Sequence, residues 1–288
     1  MVSLYDIQVF TPRTLEEALE LLDKMGGRTK IIAGGTDLII QMRHGLAPRR
    51  DLINIYGLRE LRYIREEHGM VRIGALTTFS EIAASEPIQK HVPFLAEAAN
   101  TIGSIQIMNK ATIGGNLVNA SPAADSLPPL YVLDASVKIV GRKGERTVSI
   151  ERFYKGYKKM DIAPDEILAE ISFKIPDTDG RGLFFKHGLR LGDAISVVNG
   201  AVWMRRREGV IEDVKISLGA VAPTVVRARR SEEILKGAKP DDENLRQAAR
   251  AVIHDISPID DVRGSAGYRA EMAVNYVYMA LKRLVMGR

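Results

Sequence analysis

Two short segments constrain this chain more than anything else in it: Ala33-Gly34-Gly35-Thr36-Asp37 and Ala111-Thr112-Ile113-Gly114-Gly115-Asn116. Adjacent glycines give up the most backbone freedom on folding, so they belong where the main chain must go where a Cβ cannot. Lys30-Ile31-Ile32-Ala33 reads as a buried strand running into the first pair, and Ile105-Gln106-Ile107-Met108-Asn109 leads into the second. Both pairs therefore read as tight turns. Such a turn aims several backbone N–H groups at one point, which suits the acceptor oxygens of a pyrophosphate. Thr36, Asp37, Thr112 and Asn116 add short polar side chains that can meet phosphate oxygens or ligand hydroxyls. Neither segment has the G-x-G-x-x-G spacing of a dinucleotide fold, and neither ends in the Lys-Ser/Thr of a P-loop.

The surrounding pattern is mixed α and β. Gln8-Val9-Phe10-Thr11 is short and extended. Thr14 with Glu17 reads as a capping box opening a helix whose Leu15, Ala18, Leu19 and Leu22 share one face, and Gly26-Gly27 stops it. Leu38 to Met42 continues the first glycine turn as a short helix or strand, and Leu52-Ile53-Asn54-Ile55 is a further strand. From about residue 60 a second pattern begins, with Val71 to Ala75 as a strand, a Thr78-capped helix to Ala84, and a helix from Pro93 to Ile102. Ser121 to Asp125 caps a helix through Leu133. Strands follow at 137–140, 146–148 and 167–175. Pro176-Asp177-Thr178-Asp179-Gly180 is the strongest boundary signal in the chain. Beyond it, Leu183 to Leu189, Ser196 to Met204 and Val210 to Ala220 alternate like an antiparallel sheet, with Arg207-Glu208-Gly209 as a hairpin turn. Helical patterns at 231–235, 242–253 and 267–286 complete it.

Composition removes whole classes of chemistry. With no cysteine, the chain can hold no disulfide, thiolate zinc site or cysteine-ligated iron–sulfur cluster, so any cluster it works with belongs to a partner. Its five histidines lie far apart, without zinc-helix spacing, and no metal site is expected. No apolar run is long enough to span a membrane, and Met1 to Asp6 has no signal-like pattern, so a cytoplasmic location is expected. Residues 181–288 carry 19 Lys/Arg against 13 Asp/Glu, while residues 1–180 are balanced at 22 against 23. That basic excess reads as solvated surface or a docking face for an acidic partner. Nucleic-acid binding is not expected, because few aromatics are interleaved with the basic residues.

The glycine segments and their flanks resemble the FAD-binding (medium) subunit of molybdenum hydroxylases, the family of xanthine, aldehyde and carbon monoxide dehydrogenases. The likeness is carried by Ile32 to Asp37, by the long run from Gly103 to Asp125, by Gly156-Tyr157, by Ala163 to Leu168 and by Lys186 to Val198. The resemblance implies an α+β fold: a two-part FAD domain of the vanillyl-alcohol-oxidase type over 1–176, with subdomains of about 1–56 and 57–176. A small C-terminal domain over 181–288, with a three-stranded antiparallel sheet and helices, would follow. It also implies that Ile31, Ile32, Ala33, Gly34, Gly35, Thr36, Asp37 and Leu38 form a first FAD loop, and that Ile102 lies near the cofactor. Thr112, Gly114, Gly115 and Asn116 would hold the second side of the pyrophosphate. Asp125 would hydrogen-bond FAD, Ala169 would touch it through its backbone, and Lys186 would approach from the C-terminal domain. Two positions depart from related subunits: Met108 stands where many have a basic residue, and Ala194 where an aromatic often covers the flavin ring.

In such systems a molybdopterin large subunit oxidises the substrate and a small subunit with [2Fe-2S] clusters relays electrons to FAD. NAD+ or another acceptor then takes them. No side chain here is needed as a general acid, base or nucleophile. Two other readings compete. A self-contained flavin oxidoreductase of the same fold would carry a larger substrate domain than the hundred or so residues after Gly180. A non-catalytic assembly protein would have no physical need of two bare-backbone segments.

Overall fold

The structure, a computed structural model, describes residues 7–48 and 50–287. The N-terminal segment Met1 to Asp6, on which the expectation about a secretion signal rests, lies outside them.

The chain opens with a small parallel sheet. Strand β1 (Val9–Phe10), helix α1 (Leu15–Met25), β2 (Thr29–Ile32), α2 (Leu38–Arg43) and β3 (Asp51–Asn54) give a sheet ordered β1-β3-β2. Thr14 caps α1 by accepting from Glu17 N at 3.1 Å. The other half of the expected capping box is absent, because the Glu17 carboxylate takes the Arg13 N–H at 2.7 Å instead. Gly26 ends the helix with φ +58°.

A second, five-stranded antiparallel sheet follows. It draws on β4 (Ile64–Glu67) and β5 (Met70–Gly74), then, after a run of helices, β6 (Ser136–Gly141) and β7 (Gly144–Ser149). The helices are α3 (Phe79–Ala84), α4 (Glu86–His91), α5 (Pro93–Asn100), α6 (Ile105–Met108), α7 (Ile113–Asn119) and α8 (Leu127–Val132). Helix α9 (Ile150–Phe153) and a hairpin of β8 (Tyr154–Gly156) and β9 (Lys159–Met160) precede β10 (Ile167–Lys174), which enters the middle of the sheet in the order β4-β5-β10-β6-β7. Phe79, Phe94, Phe153 and Phe173 are fully buried in the core between sheet and helices.

The full capping box in this part is at α3. Thr78 accepts from Glu81 N at 3.4 Å and donates its own N–H to the Glu81 carboxylate at 2.8 Å. Burial pushes the Glu81 carboxyl up, but the Thr78 N–H and hydroxyl together with the Arg62 guanidinium outweigh it and hold the group below its usual range. Thr78→Ala removes an N-cap and is expected to cost about 1 kcal/mol. In a thermal melt that is a drop of roughly 2–3 °C, which Thr78→Ser should largely restore. An unchanged midpoint would show that the cap contributes nothing.

The last part is a four-stranded antiparallel sheet, β11 (Gly180–Gly188), β12 (Ser196–Arg207), β13 (Val210–Gly219) and β14 (Val226–Arg227), covered by α10 (Arg229–Leu235), α11 (Asp242–Ala251) and α12 (Ala266–Met286). The expected three strands are present; the fourth is a two-residue edge that the sequence pattern is too short to reveal. Glu208 and Gly209 form the β12–β13 turn with φ +51° and +80°, the double left-handed geometry of a two-residue hairpin. The last helix buries Ala273, Val277, Ala280, Leu281 and Leu284 against this sheet. Phe184, Ala201 and Trp203 of the same sheet belong instead to the core of the preceding part, so apolar packing is continuous across the junction.

Candidate functional site

The first glycine segment links β2 to α2. Gly35 takes φ +71°, a conformation that side chains resist. Ile39 N reaches back to Gly35 O at 3.3 Å and Gln41 N to Asp37 O at 2.9 Å. The N–H groups of Gly34, Gly35, Thr36, Asp37 and Leu38, by contrast, donate to no acceptor among the described residues. Five successive donors on partly covered backbone are thus left free to meet acceptors from outside the chain.

The second segment is not the turn its glycines suggest. Thr112 is the N-cap of α7, accepting from Gly115 N at 3.1 Å, and Ile113 to Asn119 is helical. Its N–H groups are already used: Ile113 N bonds Thr77 O at 3.0 Å, Gly114 N bonds Ala75 O at 2.8 Å and Asn116 N bonds Thr112 O at 3.0 Å. The reason is the close seating of α7 on the residues that follow β5, together with the Thr-x-x-Gly cap.

The four glycines therefore do four different things. A Cβ on Gly34 would stand 1.9 Å from the Lys110 carbonyl oxygen, so this glycine is where the two segments press together. A Cβ on Gly114 would lie 2.6 Å from the Cβ of Ala75; this glycine is for packing. Gly35 supplies the left-handed bend. Gly115 is exposed, and a Cβ there would meet only Thr112 Oγ1, at 3.0 Å.

Three residues that the sequence did not single out tie these parts together. Gln41 Nε2 donates to Asp37 Oδ2 at 2.8 Å and to Asn119 Oδ1 at 3.1 Å, and Lys158 Nζ donates to the Asn119 carbonyl at 2.7 Å. Burial lowers the Lys158 pKa, and nearby Lys30 adds to that while Asp37 opposes it. No local pattern announces such a junction, because its members come from three elements and are ordinary polar residues.

Asp125 is buried on the far side. Its Oδ1 accepts from Ser196 Oγ at 2.5 Å and Asn199 Nδ2 at 2.6 Å, and its Oδ2 from Lys186 Nζ at 2.6 Å. Lys186 also donates to the Thr101 carbonyl at 2.8 Å, next to the half-buried Ile102. Asn116 reaches this cluster through Ser126, which donates to its Oδ1 at 2.7 Å. Ala169 sits at a register shift in β10, and its carbonyl accepts from Ala75 N at 2.9 Å, the residue on which Gly114 rests. Thus the structure joins Ala169, Gly114, Gly115, Thr112 and Asn116 in one network with Asp125 and Lys186, while Ile31 to Leu38 abut it through Gly34 and Lys110. Of the two departures, Met108 is buried, and Ala194 lies in the loop before β12 with its methyl facing Gly188.

Among the described residues no helix is long and apolar enough to cross a membrane, and no group of His, Asp or Glu is arranged to hold a metal. The free donors are backbone N–H groups, which suit the acceptor oxygens of an anion.

Comparison with known proteins agrees. The family described as the FAD binding domain in molybdopterin dehydrogenase matches residues 5–177, and the CO dehydrogenase flavoprotein C-terminal domain matches 184–284. The chain is 33% identical over 261 residues to a putative xanthine dehydrogenase FAD-binding subunit of Escherichia coli K12, covering 90% of this chain and 89% of that one. It is 35% identical over 272 residues to the nicotinate dehydrogenase FAD-subunit of Eubacterium barkeri, covering 92% of each. A chain of carbon monoxide dehydrogenase from Hydrogenophaga pseudoflava superposes with a TM-score of 0.93 at 33% identity over 96% of both chains. With its α+β fold and its unpaired donor loop, the chain belongs to the FAD-binding subunit family of the molybdenum hydroxylases, and FAD is its cofactor.

Proposed function

We propose that this chain is the electron-transfer subunit of a cytoplasmic molybdenum hydroxylase complex. In this reading it accepts electrons from a [2Fe-2S] subunit, fed in turn by a molybdopterin subunit, and hands them to NAD+ or another acceptor. Residues 1–176, in parts of about 1–56 and 57–176, form the flavin-binding domain, and 181–288 form a second domain against it. The names of the relatives, FAD subunits of xanthine and nicotinate dehydrogenases, support this assignment.

The observation that carries the site is the run of unpaired N–H groups from Gly34 to Leu38. They take the pyrophosphate of FAD, with Ile31, Ile32 and Ala33 leading the chain into place and the Thr36 and Asp37 side chains at the rim. Thr112, Gly115 and Asn116 close the other side, while Gly114 and Ala169 set its position through their backbones. Ile102, Asp125 and Lys186 border the flavin end. When bound, FAD supplies the redox chemistry; the chain's own groups bind and orient it and fix the charge around it.

Gly115→Val separates this reading from a merely structural one, because Gly115 is exposed and its new Cβ would meet only the Thr112 hydroxyl, at 3.0 Å, and no core atom. The variant is expected to fold with a near-normal melting curve and to lose at least about 90% of its bound flavin by absorbance, since the groove is blocked at van der Waals range. Full flavin content in the folded variant would overturn the groove assignment. For the electron route, organic substrates should fail to bleach the isolated yellow chain, and a copurifying molybdenum and iron–sulfur partner should restore bleaching. Direct reduction by such substrates would favour a self-contained oxidoreductase.

A further inference from the structure

We propose that the cleft between α5, β11 and the end of α12 is a second ligand site, distinct from the flavin groove, that takes a small phosphomonoester.

The cleft encloses about 510 Å³, within the range of small-molecule sites. Two glycines of β11 shape its wall. A Cβ on Gly182 would lie 2.2 Å from the Phe94 ring and one on Gly180 2.3 Å from the Trp203 ring, so both aromatics press against bare strand. That gives the cleft an apolar base for the carbon body of a ligand.

Its rim is cationic. Lys90 at the end of α4, Arg181 on β11 and Arg283 on α12 all line it. All three are exposed, and none makes an ion pair or a side-chain hydrogen bond among the described residues, whereas Arg205, Arg227 and Arg269 are each paired with a carboxylate. The N-terminal end of α5, at Pro93, opens onto the same space and adds its positive dipole end. Of the carboxylates present, Asp177 is held by Arg205. Glu97, the other, is pushed above its usual pKa by burial, with the Arg283 guanidinium opposing. Two guanidinium forks and an ammonium around one concavity match a phosphate dianion better than a monovalent carboxylate.

The site does not depend on the flavin assignment. Helix α5 and strand β11 run alongside each other from this cleft, where Phe94 meets Gly182, to Thr101 and Lys186, which meet at 2.8 Å. The two sites thus stand at opposite ends of one helix–strand contact.

Trp203, the chain's single tryptophan, lines the cleft and gives the readout. At constant ionic strength, phenyl phosphate is expected to change Trp203 emission saturably in the purified chain, with benzoate at least about tenfold weaker, reflecting the doubly charged head group. Arg181→Ala with Arg283→Ala should raise the apparent Kd at least about tenfold. If that pair fails to fold, Lys90→Glu, a change on an exposed helix end, should raise it at least about threefold. Flavin absorbance should stay constant in every case, so a chain lacking flavin could still pass and a flavin-replete one could still fail. Non-saturating emission changes, equal binding of benzoate, or unaltered affinity in the folded variants would each overturn the site.

Discussion

Asp125→Ala is expected to destabilise the protein by about 3–5 kcal/mol, the range seen when one partner of a buried ion pair is removed. Asp125 and Lys186 have side chains only 8% and 12% exposed, so Lys186 would be left as a buried ammonium with the Thr101 carbonyl as its remaining partner. Ser196, fully buried, would lose its acceptor as well, and the equally buried Asn199 would keep only the Ala123 carbonyl, at 3.4 Å. Asp125→Asn should be milder in packing but still unfavourable, because one amide face cannot accept from Lys186, Ser196 and Asn199 together. Pairing Asp125→Ala with Lys186→Met should recover part of the loss, since it removes the stranded charge. Denaturant midpoints for the four proteins measure this directly. Equal midpoints for the wild type and Asp125→Ala would refute the buried pair.

Gly34→Ala is expected to be nearly as damaging, at about 3 kcal/mol or more, and to eliminate flavin binding along with it. A methyl there would sit 1.9 Å from the Lys110 carbonyl oxygen and 2.6 Å from its carbon, and neither atom is on a flexible side chain. The two glycine segments must part to admit it, and the row of free N–H groups goes with them. The contrast with Gly115→Val is diagnostic. One substitution should lower both stability and flavin content, the other flavin content alone. A folded, flavin-replete Gly34→Ala protein would mean that the segments are not pressed together as described.

Local pattern revealed much of this molecule and could not have revealed the rest. Helix α1 follows its apolar spacing, and the β12–β13 turn follows from Glu208-Gly209, because both depend on neighbours in sequence. The central place of β10 in its sheet is a different matter. It pairs with β5 almost a hundred residues earlier, and no period records that. The segment at Thr112 was open to misreading because Gly-Gly is a turn signal, whereas the Thr112 cap and the seat on Ala75 make it a helix start. Positions such as Asp125 and Lys186 were reachable through family resemblance. Their mutual contact, across 61 residues, was not, nor was the Gln41–Asn119–Lys158 junction.

The donors to Asp125 have one further consequence. Lys186, Ser196 and Asn199 all lie beyond residue 180, and so do Phe184, Ala201 and Trp203, which complete the core of the preceding part. A fragment cut at the 176–180 connector would keep every glycine of the cofactor groove. It would nonetheless carry a naked buried acid and an open hydrophobic flank, and so would be insoluble or misassembled. The two halves depend on each other for a closed core and a neutralised acid.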